Sequence, residues 1–177
     1  MSWVFQARLG DMKSIVVAQP KSLTLGIMLG MAIFTIPLLL AGPQLIVGTI
    51  VNALLVIIAT KTASKYWLPL AMLPSLGAFM HGVLFGPLTF LLLYFLPMIW
   101  VGNLLYMKVV TMNFGNWPLV VRVIAAASFK AALLFFSARI YHAWGIVPAM
   151  FLVAMGINQW FTAMAGGILG KVALKKI

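Results

Sequence analysis

Long blocks of apolar residues follow one another along this chain, and short breaks that contain Pro, Gly or Lys separate them. Blocks of about 20 residues are long enough for an α-helix to cross a hydrocarbon core of about 30 Å. The blocks are apolar nearly all round rather than along one stripe, as expected for helices whose solvent is lipid. We therefore predict an all-helical integral membrane protein, a bundle of six spans at residues 23–41, 45–60, 67–85, 88–110, 119–141 and 146–173.

The first 22 residues differ from these blocks because charged residues interrupt them. No compact apolar core with a small-residue cleavage site is present, so a cleaved signal is not expected. Apolar residues recur at roughly helical spacing, at Trp3, Phe5, Leu9 and Met12. This spacing is typical of a helix that lies on a membrane surface. We predict an interfacial segment at 1–22 and a transmembrane domain at 23–177.

The cations predict the orientation of the bundle. Ten of the twelve Lys and Arg fall on one side of the six-span arrangement: Arg8, Lys13, Lys21, Lys61, Lys65, Lys108, Arg122, Lys171, Lys175 and Lys176. Loops rich in Lys and Arg stay in the cytoplasm. We therefore expect both termini to be cytoplasmic and the protein to lie in the plasma membrane.

Composition narrows the chemistry that this chain can perform. It is 64% hydrophobic, carries a net charge of +11, has no cysteine and has Asp11 as its one acidic residue. Carboxylate proton relays, acidic cages for Ca²⁺ or Mg²⁺ and thiol catalysis are therefore excluded from the spans. The cations lie singly between apolar runs, which disfavours nucleic-acid binding. Without a catalytic or cofactor motif either, we expect neither an enzyme nor a bound cofactor.

Lys130 is the most informative single residue, because it falls near the middle of the fifth predicted span. An ammonium at mid-bilayer costs about 3 kcal/mol on insertion scales, so it needs a partner. The possible partners are backbone carbonyls, amide side chains, water, an anionic ligand or a second protein. A further alternative is that the side chain snorkels to the interface or remains a neutral amine. Arg139 is expected near the outer end as an interfacial anchor, two and a half turns beyond Lys130 and on nearly the same face.

Several other polar residues fall in the spans at comparable depth or nearer the outside. They are Asn52, Asn158, Gln159, Thr162, His81 and Tyr94. Each of them alone is expected to join helices by hydrogen bonding, whereas as a group they predict a wet, outward-facing cavity for a ligand. Haem ligation by His81 and His142 is a further alternative, since two imidazoles suffice for such a site.

Small residues at four-residue spacing predict where backbones approach closely. Gly26 and Gly30 form such a pair in the first span, and Gly166 and Gly170 form one in the last. Intrachain packing is one interpretation of both pairs. The functional alternative is that they dock a partner membrane protein in the cytoplasmic half.

A family resemblance follows from short motifs in these spans. They are the small-residue first span, Gly48 to Asn52, Leu73 to Leu76, Gly102-Asn103, and Thr162 to Gly167. With six spans and both ends inside, they resemble the substrate-binding S components of energy-coupling factor transporters over residues 23–173. The resemblance implies outward capture of a micronutrient and its delivery within a complex with a transmembrane coupling protein and two ATPases. It also implies that Gly26 and Gly30 meet the coupling protein.

The chain departs from two branches of that family. It begins Met1-Ser2-Trp3 where the cobalt and nickel branch has an N-terminal Met-His pair, and it lacks the acidic residues of thiamine-type binders. A small neutral or anionic organic solute therefore fits the charge of the chain better than a cation does. The competing hypothesis is a non-transporting subunit that scaffolds or anchors a larger membrane complex through its small-residue faces and Lys130.

Overall fold

A computed structural model of the chain describes residues 24–40, 43–82, 85–112, 115 and 117–176. Every regular element within these ranges is a helix, which confirms the all-helical fold class. The predicted interfacial segment at 1–22 lies outside the described residues.

Seven α-helices lie within the described residues, and we number them in chain order. They are α1 (Thr24–Leu39), α2 (Gln44–Lys61), α3 (Trp67–His81), α4 (Leu92–Thr111), α5 (Leu119–Ala143), α6 (Met150–Met155) and α7 (Ile157–Leu174). Short 3-10 helices at Ser64–Tyr66 and Gly86–Leu91 precede α3 and α4. The helices therefore fall within or close to the six apolar blocks.

Within the described residues, four helical stretches are long and apolar enough to cross a membrane, which supports an integral membrane protein. They are Gln44–Lys61, Gly86–Thr111, Leu119–Ala143 and Met150–Leu174. The helix Thr24–Leu39 is shorter than these four. Helix α3 has 15 residues, or about 22 Å, and is followed by Gly82, whose backbone is left-handed. The count of six spans therefore stays a prediction.

Helices α2 and α7 pack in parallel through small residues. A Cβ on Gly166 would lie 2.5 Å from Asn52 Cβ, and one on Gly170 would lie 2.7 Å from the Ala53 carbonyl oxygen. Real Cβ atoms do not come so close, so the backbones can meet only because both residues are glycine. Both glycines are buried within the chain, which supports the interpretation that they serve intrachain packing. They do not present a surface to a partner protein.

The helices run in two directions, and this brings cations together at one end. At one end of the bundle the ends of α1 and α3 meet, and His81 contacts the Leu38 carbonyl there. At the other end of the bundle the end of α4 meets the start of α5, and Arg122 donates a hydrogen bond to the Met112 carbonyl. Seven described cations lie at this second end: Lys61, Lys65, Lys108, Arg122, Lys171, Lys175 and Lys176. We call this the cation-rich end and the other the opposite end.

The predicted last span is broken into two helices at Gly156. Its φ of −100° and ψ of −100° are not helical, and α6 therefore ends at Met155 before α7 begins. A Cβ on Gly156 would lie 2.9 Å from the Phe135 ring. The missing side chain at Gly156 thus leaves room for the Phe135 ring of α5, next to Met155, which lines the cavity described next.

Candidate functional site

A cavity of about 150 Å³ lies in the bundle, in the half away from the cation-rich end. Its volume is well above the roughly 10–15 Å³ that one water needs. The start of α2 and the ends of α1 and α3 surround its outer part, and the middles of α2, α4 and α5 form its deep part. The polar side chains in its lining are Gln44, Asn52, Ser75, His81, Asn103, Lys130 and Gln159, among apolar residues that include Phe85 and Met155.

Lys130 lies at the deep end of the cavity and is 2% exposed. Its Nζ donates a hydrogen bond to Asn52 Oδ1 at 2.7 Å and lies 5.4 Å from the centroid of the Tyr106 ring. No side-chain carboxylate is present in the described ranges, since Asp11 is the only one of the chain. An ammonium has three N–H donors, and an amide oxygen with a ring face does not neutralise its charge.

The partner of Lys130 is held in place by helix α2 itself. Asn52 Nδ2 donates to the Gly48 carbonyl at 2.8 Å and to Thr162 Oγ1 at 3.3 Å. A carbonyl can only accept, so the amide nitrogen must face Gly48 and the amide oxygen must face Lys130. Thr162 therefore helps to position the Asn52 side chain and does not itself line the cavity.

Asn103 presents an acceptor that no group of the described residues satisfies. Its Nδ2 donates to the Ala71 carbonyl at 2.8 Å, which turns Oδ1 away from α3. Oδ1 is buried and has no hydrogen-bond partner. A buried polar atom without a partner costs about 1–3 kcal/mol, so an acceptor beside a cavity is expected to meet water or a ligand there.

His81 presents a second unpartnered acceptor nearer the opposite end. Its Nδ1 lies 2.6 Å from the Leu38 carbonyl oxygen, and this contact requires the proton to be on Nδ1. In the tautomer with its one proton on Nδ1, the ring has a lone pair on Nε2, and this atom is buried and has no partner among the described residues. The two acceptors lie at different depths, because Ala71 and His81 are ten residues, or about 15 Å, apart along α3.

Asn158 and Tyr94, which the sequence places in the cavity, are not in its lining. Asn158 Nδ2 donates to Gln44 Oε1 at 3.2 Å, and Gln44 in turn donates to the Ala154 carbonyl at 3.0 Å. Asn158 therefore orients a lining residue. Tyr94 is 49% exposed and contacts the Tyr141 ring at 6.2 Å between centroids.

The prediction that Arg139 shares a face with Lys130 was wrong. Nine residues correspond to two and a half turns, and the extra half turn places the two side chains on opposite faces of α5. Lys130 is buried in the bundle, whereas Arg139 is exposed and does not line the cavity. Its position near the end of α5 remains compatible with an interfacial anchor.

The structure does not bring the two histidines to one cavity. His81 lines the cavity, whereas His142 is absent from the lining and its Nδ1 contacts the Val147 carbonyl at 2.8 Å. The arrangement therefore gives no support to haem ligation by this pair.

Sequence reasoning missed Gln44 and Ser75 as cavity residues, and it used Asn103 only within a family motif. Gln44 stands at the start of α2, directly after its N-cap Pro43, where a polar residue is common. Asn103 lies in the middle of an apolar helix, and a buried amide in such a position is the signal that would have identified it.

An apolar groove of about 380 Å³ lies between α1 and α3, toward the cation-rich end. Gly26 and Gly30 line it, together with Ile27, Met31, Phe34, Tyr66, Pro69, Leu70 and Leu73. A Cβ on Gly30 would lie 2.9 Å from Leu70 Cδ2, whereas one on Gly26 would meet only Thr62 Cγ2 at 3.9 Å. Gly30 therefore contributes to packing between α1 and α3, and Gly26 leaves space in the groove.

No protein-family model, curated protein or solved structure matches this chain. The argument on function therefore depends on the geometry of the cavity.

Proposed function

We propose that this protein is the membrane-embedded substrate-capture subunit of an ATP-driven importer and that its cavity binds a small neutral or anionic organic solute. The observation that carries the proposal is that the cavity reaches Lys130, a buried lysine for which no carboxylate of the described residues provides a counter-charge. A solute with hydrogen-bond acceptors accepts from its amino group, and a solute with a negative charge compensates its protonated form.

The unpartnered acceptors favour a binding site over a scaffold. A scaffold has no need for an internal cavity, and a sealed apolar bundle would avoid the cost of leaving Asn103 Oδ1 and His81 Nε2 unpaired. That cost is about 1–3 kcal/mol for each atom. Polar groups that remain unpaired within the chain but converge on one cavity are typical of ligand sites.

The proposed orientation follows from the cations. If the cation-rich end faces the cytoplasm, the cavity lies in the outer half of the membrane and collects its solute from outside. In this arrangement α1 and α3 are short spans, which a bilayer accommodates by local thinning. The chain then has six spans with both termini in the cytoplasm of the cell and lies in the plasma membrane.

Energy for uptake would come from partners, as the resemblance to S components of energy-coupling factor transporters implies. We place the contact with a transmembrane coupling protein at the groove between α1 and α3, and the ATPases beyond it. The groove supports this because it is apolar, lies toward the proposed cytoplasmic side and contains Gly26 with open space above its Cα.

The test is to fill the cavity without removing a polar group. Ala78 lines the cavity, so Ala78→Phe should abolish the small-molecule adduct that native mass spectrometry detects on the purified protein. Ala132→Phe is the matched control, because Ala132 is exposed on α5. Absence of any adduct on the wild-type protein, or an adduct that survives Ala78→Phe, would favour the scaffold hypothesis.

A further inference from the structure

The unpaired atoms of the cavity define which solutes can satisfy it. At the deep end, Lys130 keeps N–H donors beyond the one given to Asn52, and Asn103 offers an acceptor on the neighbouring helix. These two residues are close, since a Cβ on Gly102, the residue before Asn103, would lie 3.4 Å from Lys130 Cγ. Toward the opposite end, His81 adds a second acceptor.

The charge of the cavity restricts the group that meets Lys130. A solute amine or other cation would add positive charge to a cavity that has no carboxylate in its lining. An uncharged solute would offer no counter-ion to the protonated form of Lys130 in the membrane interior. A carboxylate meets both requirements, because it accepts the free N–H donors and neutralises the charge.

The two acceptors restrict which groups the rest of the solute can carry. A carboxylate whose remaining part is only hydrocarbon or ester would leave Asn103 Oδ1 and His81 Nε2 without a hydrogen-bond donor. Sites built to receive a donor discriminate strongly against an analogue that lacks it, because their own polar atoms are then left unsatisfied. Uncharged N–H or O–H groups on the solute satisfy these two atoms without adding a positive charge.

We infer that the solute is a small carboxylate that also carries uncharged N–H or O–H donors, its carboxylate against Lys130 and its donors against Asn103 Oδ1 and His81 Nε2. This assignment rests on the proposed function. It names the substrate class that the proposal leaves open between neutral and anionic solutes.

The test uses a series of matched probes on the full chain in lipid nanodiscs. For each straight-chain dicarboxylic acid from succinic to sebacic acid, the monoamide carries a carboxylate and N–H donors. The monomethyl ester keeps the carboxylate without the donors, and the diamide keeps donors without the charge. Varying the chain length allows for the different depths of the two acceptors. Binding is measured by affinity selection with mass spectrometry.

At the best chain length, the monoamide should bind about tenfold more tightly than the ester and the diamide of the same acid. Lys130→Met should remove the preference over the diamide, and His81→Phe should reduce the preference over the ester. The melting temperature of each variant shows whether it is folded, and the comparison within the wild-type protein does not depend on the variants.

If the ester or the diamide binds as tightly as the monoamide, or if no monoamide binds, the inferred class of solute is wrong. The proposed function has a separate readout in the adduct that Ala78→Phe should remove. If that adduct is present but lacks a carboxylate, the protein still captures a solute and only the class is wrong. If neither an adduct nor a bound monoamide is found, both fail.

Discussion

Replacing Lys130 with methionine separates ligand binding from stability. Methionine keeps the length and the apolar stem of the side chain, which packs along α4 at Gly102, and removes only the ammonium. If the ammonium contacts the solute, Lys130→Met should weaken its binding by about 1.5–3 kcal/mol, the scale of a hydrogen bond to a charged group. This corresponds to a loss of affinity of about tenfold to a hundredfold.

The unliganded protein should not lose stability from the same change. Two effects oppose each other: Asn52 Oδ1 loses the hydrogen bond of 2.7 Å, and a membrane-buried charge disappears. The first costs about 1.5–3 kcal/mol, the scale of a hydrogen bond to a charged group, and the second removes a penalty of about 3 kcal/mol on insertion scales. We therefore expect an unchanged or higher melting temperature without solute and a smaller stabilisation when solute is added.

The assay is a melting curve with and without the co-purified solute, together with its dissociation constant. Arg139→Met is the matched control, since it removes a cation from the same helix at an exposed position. It should leave the affinity unchanged. An unaltered affinity in Lys130→Met, accompanied by release of a partner subunit, would refute the reasoning and make the lysine an assembly contact.

Three further predictions follow from packing and orientation. Gly166→Leu should destabilise the isolated chain by about 3 kcal/mol or more, because even a Cβ would lie 2.5 Å from Asn52 Cβ. Thermal melting measures this effect, and an unchanged melting temperature would contradict the α2–α7 contact. Gly26→Leu should block co-purification with partner subunits while leaving solute binding intact, and retained assembly would exclude the groove as the docking surface. Labels at Ser64 should be reachable only from the cytoplasm and labels at Gly86 only from outside, and the reverse result would invert the proposed orientation.

Several features of this protein follow from the amino-acid sequence by itself. The apolar blocks specify the helices, because lipid requires every backbone polar group to be satisfied within its own helix. Most of the predicted bounds lie within two residues of the observed ones, whereas the end of α3 and the starts of α4 and α6 differ by four residues. Seven of the ten cations that the sequence assigns to one side lie within the described residues, and all seven stand at one end of the bundle. Lys130 is identifiable as a cation without a carboxylate partner, since the chain contains a single acidic residue.

Only the tertiary structure decided which polar residues share the cavity. Asn103 and Gln44 line it, Thr162 and Asn158 support lining residues from behind, and Arg139 lies on the other face of its helix. A helix that is apolar all round has no amphipathic stripe, so its sequence does not show which side faces the bundle. The same reason applies to Gly166 and Gly170: four-residue spacing predicts a close helix contact, and whether the contact is with α2 or with another protein depends on where the helices pack.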